Sequence, residues 1–68
     1  MNNLEQLRNH ISSSYLIGQK FTTEEIYQTF REGKQWPHGT VAGHLDKLKQ
    51  DGSIDNSDGN PTTWWRLI

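Results

Sequence analysis

The sequence predicts an α+β fold in which three helices are followed by a C-terminal β-hairpin. Apolar residues recur at helical spacing in the first two thirds of the chain. Gly52, which suits a helix end, is followed by two short segments with a turn-rich loop between them. The second segment is aromatic and rich in threonine, which is typical of a β-strand. We therefore expect a small helical layer packed against a hairpin.

The first predicted helix covers residues 3–15. Its apolar residues are spaced by three or four positions, so they share one helical face. Three consecutive serines near its end are poor helix formers, and they predict that the helix frays there. The residues of the apolar face are Leu4, Leu7, Ile11 and Tyr15.

The second helix is predicted from about Thr23 to Arg31. Thr22 and Glu25 have the spacing of a capping box, in which side chains satisfy the free N–H groups of a helix start. Phe21 and Ile26 flank this cap at the positions of a hydrophobic staple. This is the clearest local signal in the chain.

The third helix is predicted to start at Trp36-Pro37 and to stop at Gly52. Proline is tolerated in a first helical turn, because its missing N–H would be unpaired there in any case. Gly39 and Gly43 each cost roughly 1 kcal/mol relative to alanine inside a helix. Close approach of another backbone or of a ligand would explain that cost. The predicted inward residues are Val41, Leu45 and Leu48.

The hairpin is predicted as a strand over Ser53–Asp55, a polar loop over Asn56–Pro61 and a strand over Thr62–Ile68. Lys20-Phe21, just before the second helix, could add one or two residues of strand pairing to it. Side chains alternate along a strand, so two adjacent tryptophans in the last strand must face opposite ways. One of the two is expected in the core, and the sequence leaves open which.

Length and composition restrict the function classes. The 68 residues form one domain, residues 1–68, with 31% hydrophobic residues and a formal net charge of −1. There is no cysteine, which excludes a disulfide framework and a cysteine zinc site. The chain has no apolar run of membrane-spanning length and no signal-peptide pattern, so a cytoplasmic protein that does not enter membranes is expected.

Two segments resemble those of winged helix-turn-helix domains. They are Thr22–Ile26, at the start of the second helix, and Leu45–Ile54, which carries the L-x-x-L-x-x-x-G-x-I passage from the third helix into the wing. The resemblance covers nearly the whole chain and implies a recognition helix followed by a wing. It also implies nucleic-acid binding, because winged helices place the exposed N-terminal half of the third helix in the DNA major groove.

The wing, Gly59–Trp64, is similar to the Gly-x-Pro-Pro-x-Trp wing of Z-DNA-binding winged helices. Pro61 and Trp64 match that pattern, whereas Thr62 replaces its second proline. The third helix departs further, because the lysine, asparagine and tyrosine of that family would align with a histidine, an alanine and an aspartate. The residues at those positions are His38, Ala42 and Asp46.

The candidate nucleic-acid-binding residues lie on and around the third helix. Three lysines, Lys34, Lys47 and Lys49, against Asp46 give the segment 34–50 a local charge of +2. Lysines would hold phosphates, while polar side chains could read base edges. The alternative is an ordinary solvated helix face. The candidates are Lys34, Gln35, His38, Thr40, Gly43, His44, Lys47 and the wing residue Trp64.

The wing itself favours a different partner. Asp51, Asp55 and Asp58 are acidic, and no lysine or arginine follows them before Arg66. Phosphates would be repelled by that charge. An exposed tryptophan, for which Trp64 is a candidate, is a frequent hot spot in protein interfaces. The alternative function is therefore a protein-interaction module, such as a phage-type inhibitor, an adaptor or a complex subunit.

The sequence gives little support for catalysis. His38 and His44 are six residues apart, which does not align two ligands on one helical face. We expect no enzyme, no catalytic residue, no metal and no cofactor. The leading prediction is a small winged-helix protein that binds nucleic acid, with double-stranded DNA as the expected form. It would act in transcription regulation or as an accessory factor. A homodimer is plausible, since one such module contacts few bases.

Overall fold

The computed structural model describes residues 2–33, 35–57 and 59–68 of the chain. In these residues three helices combine with a three-stranded antiparallel sheet, an α+β arrangement consistent with a winged helix-turn-helix. No helix in the described residues is long and apolar enough to cross a membrane. The elements are α1 (Asn3–Ser14), β1 (Lys20–Thr22), α2 (Thr23–Gly33), α3 (His38–Gln50), β2 (Ile54–Ser57) and β3 (Asn60–Arg66).

Side-chain caps set the start of the first two helices. The Asn2 side chain accepts a hydrogen bond of 2.8 Å from the backbone N–H of Glu5 at the start of α1. At the start of α2, the Thr22 hydroxyl accepts from the backbone N–H of Glu25 over 3.1 Å, as the predicted capping box requires. Phe21 and Ile26 on either side of this cap are both buried, which is the arrangement of the predicted staple.

The third helix begins one residue later than its proline. Pro37 occupies the N-cap with extended backbone, and the helix starts at His38. At the other end, Gly52 adopts a left-handed φ of 87°, which glycine reaches at little cost. Its N–H bonds the carbonyl of Lys49 and the next N–H bonds that of Leu48, so the final carbonyls of the helix are satisfied.

The last strand of the chain is the central strand of the sheet, whose order is β1-β3-β2. β1 pairs with β3 through Lys20 opposite Trp65 and Phe21 opposite Trp64. This confirms the predicted pairing of Lys20-Phe21 with the hairpin and extends it by one residue, Thr22 opposite Thr63.

The hairpin strands differ in position from the prediction: β2 is one residue longer and ends at Ser57, whereas β3 keeps the predicted length of seven residues but begins and ends two positions earlier. The register passes from Asn56 opposite Trp64 to Ser57 opposite Asn60, so Pro61 lies in a bulge of β3. A bulge is one of the few places where a strand tolerates proline, which cannot donate to the ladder. The Asn56 side-chain amide donates to the Pro61 carbonyl over 3.2 Å and closes part of this gap. The predicted loop over Asn56–Pro61 is therefore largely strand.

The hydrophobic core lies between the three helices and the inner face of the sheet. The Trp64 indole N–H donates to the Thr23 hydroxyl over 2.8 Å, which ties the centre of the sheet to the first turn of α2. Arg66 links the sheet to α1 by donating to the carbonyls of Ser12 and Tyr15. The buried core residues are Leu7, Ile11, Phe21, Ile26, Phe30, Trp36, Val41, Leu45, Leu48, Ile54 and Trp64.

Candidate nucleic-acid interface

One side of α3 carries three of the predicted contact residues in a line. Thr40, His44 and Lys47 follow each other at spacings of four and three residues, so they share one helical face. Lys47 is exposed, whereas Thr40 and His44 are half-buried. Among the described residues, no acidic group lies within salt-bridge distance of Lys47. This line therefore offers one free cation and two polar side chains to a partner.

His44 is held in a defined orientation. Its Nδ1 atom lies 2.6 Å from the carbonyl oxygen of Thr40, and its ring stacks on that of Trp36 with 5.3 Å between centroids. A carbonyl oxygen only accepts, so Nδ1 carries the proton and Nε2 is left for another partner. Trp36, in turn, stacks on Phe30 at 4.5 Å. The sequence identified His44 but missed its support by Trp36, since the contact joins a loop to a helix.

The two glycines of α3 have no structural necessity within the fold. A Cβ atom at Gly39 or at Gly43 would meet no heavy atom within 4 Å. Neither residue has a left-handed φ. No neighbouring segment of the described chain therefore approaches them, so the first of the two predicted reasons for their cost, close approach of another backbone, is not found there. The glycines expose the helix backbone on the same solvent-facing side as Lys47.

Two further candidates lie at the start of the helix. His38 is exposed, its Nε2 atom lies 3.9 Å from a Glu24 carboxylate oxygen, and its ring packs at 5.2 Å from that of Tyr27. Gln35 is exposed in the turn between α2 and α3, where its φ of 59° is left-handed. Lys34, also predicted as a contact, lies outside the described residues.

Trp64 does not join this surface. Its side chain is 3% exposed and its indole N–H is bonded to Thr23, so the prediction of a contact residue at this position is wrong. Trp36, which precedes α3, is also buried. Trp65 is the half-exposed tryptophan of the pair, because strand alternation turns it to the outer face of the sheet. Trp64 is buried because it lies on the inner face of β3, against which the helices pack.

The folded hairpin carries fewer acidic residues than the sequence predicted for the wing. Asp51 caps the end of α3 rather than lying in the hairpin, and it forms an ion pair with Arg8. Hydrogen bonds from Ser53, together with the nearby arginine, lower the pKa of the Asp51 carboxyl. Asp55 lies in β2, and Asp58 lies outside the described residues. In the described hairpin, Asp55 is the acidic residue that remains.

Comparisons with known proteins do not identify the chain. No family model matches it, and neither the curated proteins nor the solved structures include a match. Within the described residues, no group of three or more histidine, aspartate and glutamate side chains could hold a metal ion.

Proposed function

We propose that this chain is a winged helix-turn-helix protein that binds double-stranded DNA through α3 and acts as a transcription regulator or accessory factor. The observation that carries the proposal is the line of Thr40, His44 and Lys47 beside the open glycines Gly39 and Gly43. A helix with such a face can enter a major groove, because its backbone can come close to the base edges.

The residues divide naturally between two kinds of contact. Lys47 would hold a phosphate, a contact that positions the protein without reading sequence. Thr40 and the free Nε2 atom of His44 would contact base edges. Gln35 and His38 lie at the end of the helix that enters first, where they would meet the backbone or the adjacent bases. Lys34, which precedes Gln35 in the sequence, is proposed as a second phosphate contact.

The local charge supports the proposal only weakly, and this decides the conditions of the test. In α3 the two lysines Lys47 and Lys49 stand against Asp46, a balance of +1, and the whole chain has a net charge of −1. Phosphate binding weakens steeply as salt rises. Binding should therefore be sought at low ionic strength, about 50 mM salt, where the electrostatic contribution is largest.

The test is a fluorescence-anisotropy titration of a labelled duplex at several salt concentrations. Wild type should bind, and Lys47→Gln should weaken binding and lower the salt slope by about one, as loss of one phosphate contact predicts. The matched control is Lys47→Arg, which keeps the charge and should bind like wild type. No binding at about 50 mM salt by a folded protein would contradict the proposal.

The second candidate function, a protein-interaction module, depends on an exposed aromatic residue. Trp64 is buried, but Trp65 is half-exposed on the outer face of the sheet beside Asp55. Half-exposed tryptophans are frequent anchors in protein interfaces. Capture of one stable partner that is lost in Trp65→Ala, with Lys47→Gln unaffected, would favour this function over DNA binding.

A further inference from the structure

The outer face of the sheet carries an ordered row of three side chains. Lys20 on β1 lies opposite Trp65 on β3, and Asp55 on β2 lies opposite Trp65 from the other side. Leu67, the residue just after the end of β3, is 43% exposed, and its N–H bonds the carbonyl of Ser53, just before β2. We call Lys20, Asp55, Thr63, Trp65 and Leu67 the outer sheet face.

This face combines apolar area with two opposite charges that have no salt-bridge partner among the described residues. Trp65 and Leu67 form its apolar centre line, and the helices pack on the opposite side of the sheet. Lys20 and Asp55 flank the centre line with opposite signs, and neither forms a salt bridge to another described residue. β3 lies between them, so the two side chains do not pair with each other. Each charge can therefore interact with a partner molecule.

The arrangement of charges is self-complementary under one particular symmetry. A two-fold axis parallel to β3, placed between two outer sheet faces, exchanges the β1 side of one copy with the β2 side of the other. Lys20 of each copy then faces Asp55 of the other, while Trp65 meets Trp65 and Leu67 meets Leu67. A two-fold axis perpendicular to the strands, in the plane between the two faces, would instead place Lys20 opposite Lys20 and Asp55 opposite Asp55. Aligned packing of two sheets face to face is also the common geometry for such layers.

We propose that the outer sheet face is the interface of a two-fold homodimer of this chain. The interface is isologous, since the same patch is used by both copies. Its aromatic centre supplies the apolar burial, and the two symmetry-related Lys20–Asp55 pairs fix the orientation. The dimer does not depend on DNA binding, and it leaves α3 uncovered because α3 lies on the other side of the sheet.

A second copy fits this face better than a nucleic acid does. One lysine and one aspartate cancel, so the face has no excess of positive charge to attract phosphates. Five side chains per copy make a small interface, and complexes below about 1,200 Å² of total buried area are typically weak and transient. Association should therefore depend on concentration in the range from about 10 μM to about 1 mM.

The test is sedimentation equilibrium over that range, with circular dichroism to verify that each variant is folded. Wild type should show a monomer–dimer equilibrium, and Trp65→Ser should remain monomeric. Lys20→Asp and Asp55→Lys should each weaken the dimer about tenfold or more, because each reversal turns two attractive pairs into repulsive ones. The double variant Lys20→Asp/Asp55→Lys should restore association, since its charges have simply exchanged sides.

A matched control separates this geometry from a general effect of charge. Lys49→Asp makes the same charge change on exposed α3, away from the sheet, and should associate like wild type. A wild-type protein that stays monomeric to about 1 mM would overturn the proposal. So would a double variant that associates no better than the single reversals, because the two-fold pairing requires rescue.

Discussion

The Nδ1 atom of His44 lies 2.6 Å from the carbonyl oxygen of Thr40, one helical turn earlier in α3. The carbonyl is already part of the helix backbone, so the imidazole adds a second hydrogen bond to it. This contact, together with stacking on Trp36, fixes both the tautomer and the direction of the ring. The single free ring atom is Nε2, which accepts a hydrogen bond when the ring is neutral and donates one when it is charged.

The first prediction concerns that tautomer. In the folded protein at a pH where His44 is neutral, the proton should reside on Nδ1, because the Thr40 carbonyl can only accept. Long-range proton–nitrogen correlation spectra of uniformly labelled protein distinguish the two ring nitrogens. A spectrum with the proton on Nε2 would contradict the geometry. His38, for which the described residues provide no such carbonyl contact, is the internal comparison.

The second prediction separates stability from binding at Gly43. Replacement by alanine adds a Cβ atom in open space and removes the conformational freedom of glycine in the unfolded chain. Gly43→Ala should therefore raise the free energy of unfolding by about 0.5–1 kcal/mol in urea titrations. If α3 enters a groove, the same variant should bind duplex DNA more weakly. A variant that loses stability would show that the helix is packed differently at this position.

The third prediction tests the bond between Trp64 and Thr23. Thr23→Val keeps the shape of the side chain but leaves the buried indole N–H without its acceptor. We expect a loss of about 1–3 kcal/mol in unfolding free energy. Thr23→Ser retains the hydroxyl and should lose less. Trp64→Ala should cost about 3–5 kcal/mol, enough to unfold most of a domain this small, whereas Trp65→Ala should leave the fold intact.

The fourth prediction follows from the lowered pKa of Asp51. A carboxyl whose pKa is lower in the folded state stabilises the fold at any pH above its unfolded-state pKa, about 3.9. That stabilisation is lost as the pH falls through the folded-state pKa. Asp51→Asn should therefore be less stable than wild type near neutral pH, and the two unfolding curves should converge in acid. Burial lowers the pKa of His10, which destabilises both proteins equally as pH falls below about 6.5.

An equal difference between wild type and Asp51→Asn at every pH would contradict that prediction. Ser53 gives a second comparison, because its hydroxyl and its backbone N–H both donate to Asp51. Ser53→Ala removes only the hydroxyl bond, so it should raise the Asp51 pKa part of the way toward its ordinary value. The carboxyl ¹³C chemical shift of Asp51, followed in an NMR pH titration, would measure this change in pKa.

The elements that could be predicted from the sequence are those with local signals. The start of α2 follows from the Thr22–Glu25 cap, and the end of α3 follows from Gly52, because these residues act within a few positions of themselves. The bulge in the hairpin could not be predicted in the same way. It is a relationship between two strands, bridged by the Asn56 side chain and the Pro61 carbonyl, and it has no signal within either strand alone.

The candidate site was predictable to the same degree. Periodicity placed Thr40, His44 and Lys47 on an accessible part of α3, whereas the role of Trp36 beneath His44 required the folded loop. The choice between Trp64 and Trp65 was not decided by alternation, which is symmetric between the two faces. It was decided by long-range partners, with Thr23 accepting from one indole and no helix covering the other.

β3 is the final strand of the chain and also the central strand of the sheet. Until it is synthesised, β1 and β2 have no common partner, and the core lacks Trp64. The pairs that β3 forms with β1 join residues about forty positions apart. Closing that loop costs conformational entropy before the strand pairs can stabilise the fold. We therefore expect this domain to complete its fold during translation only after β3 has emerged from the ribosome, and a chain truncated before Asn60 to remain unfolded.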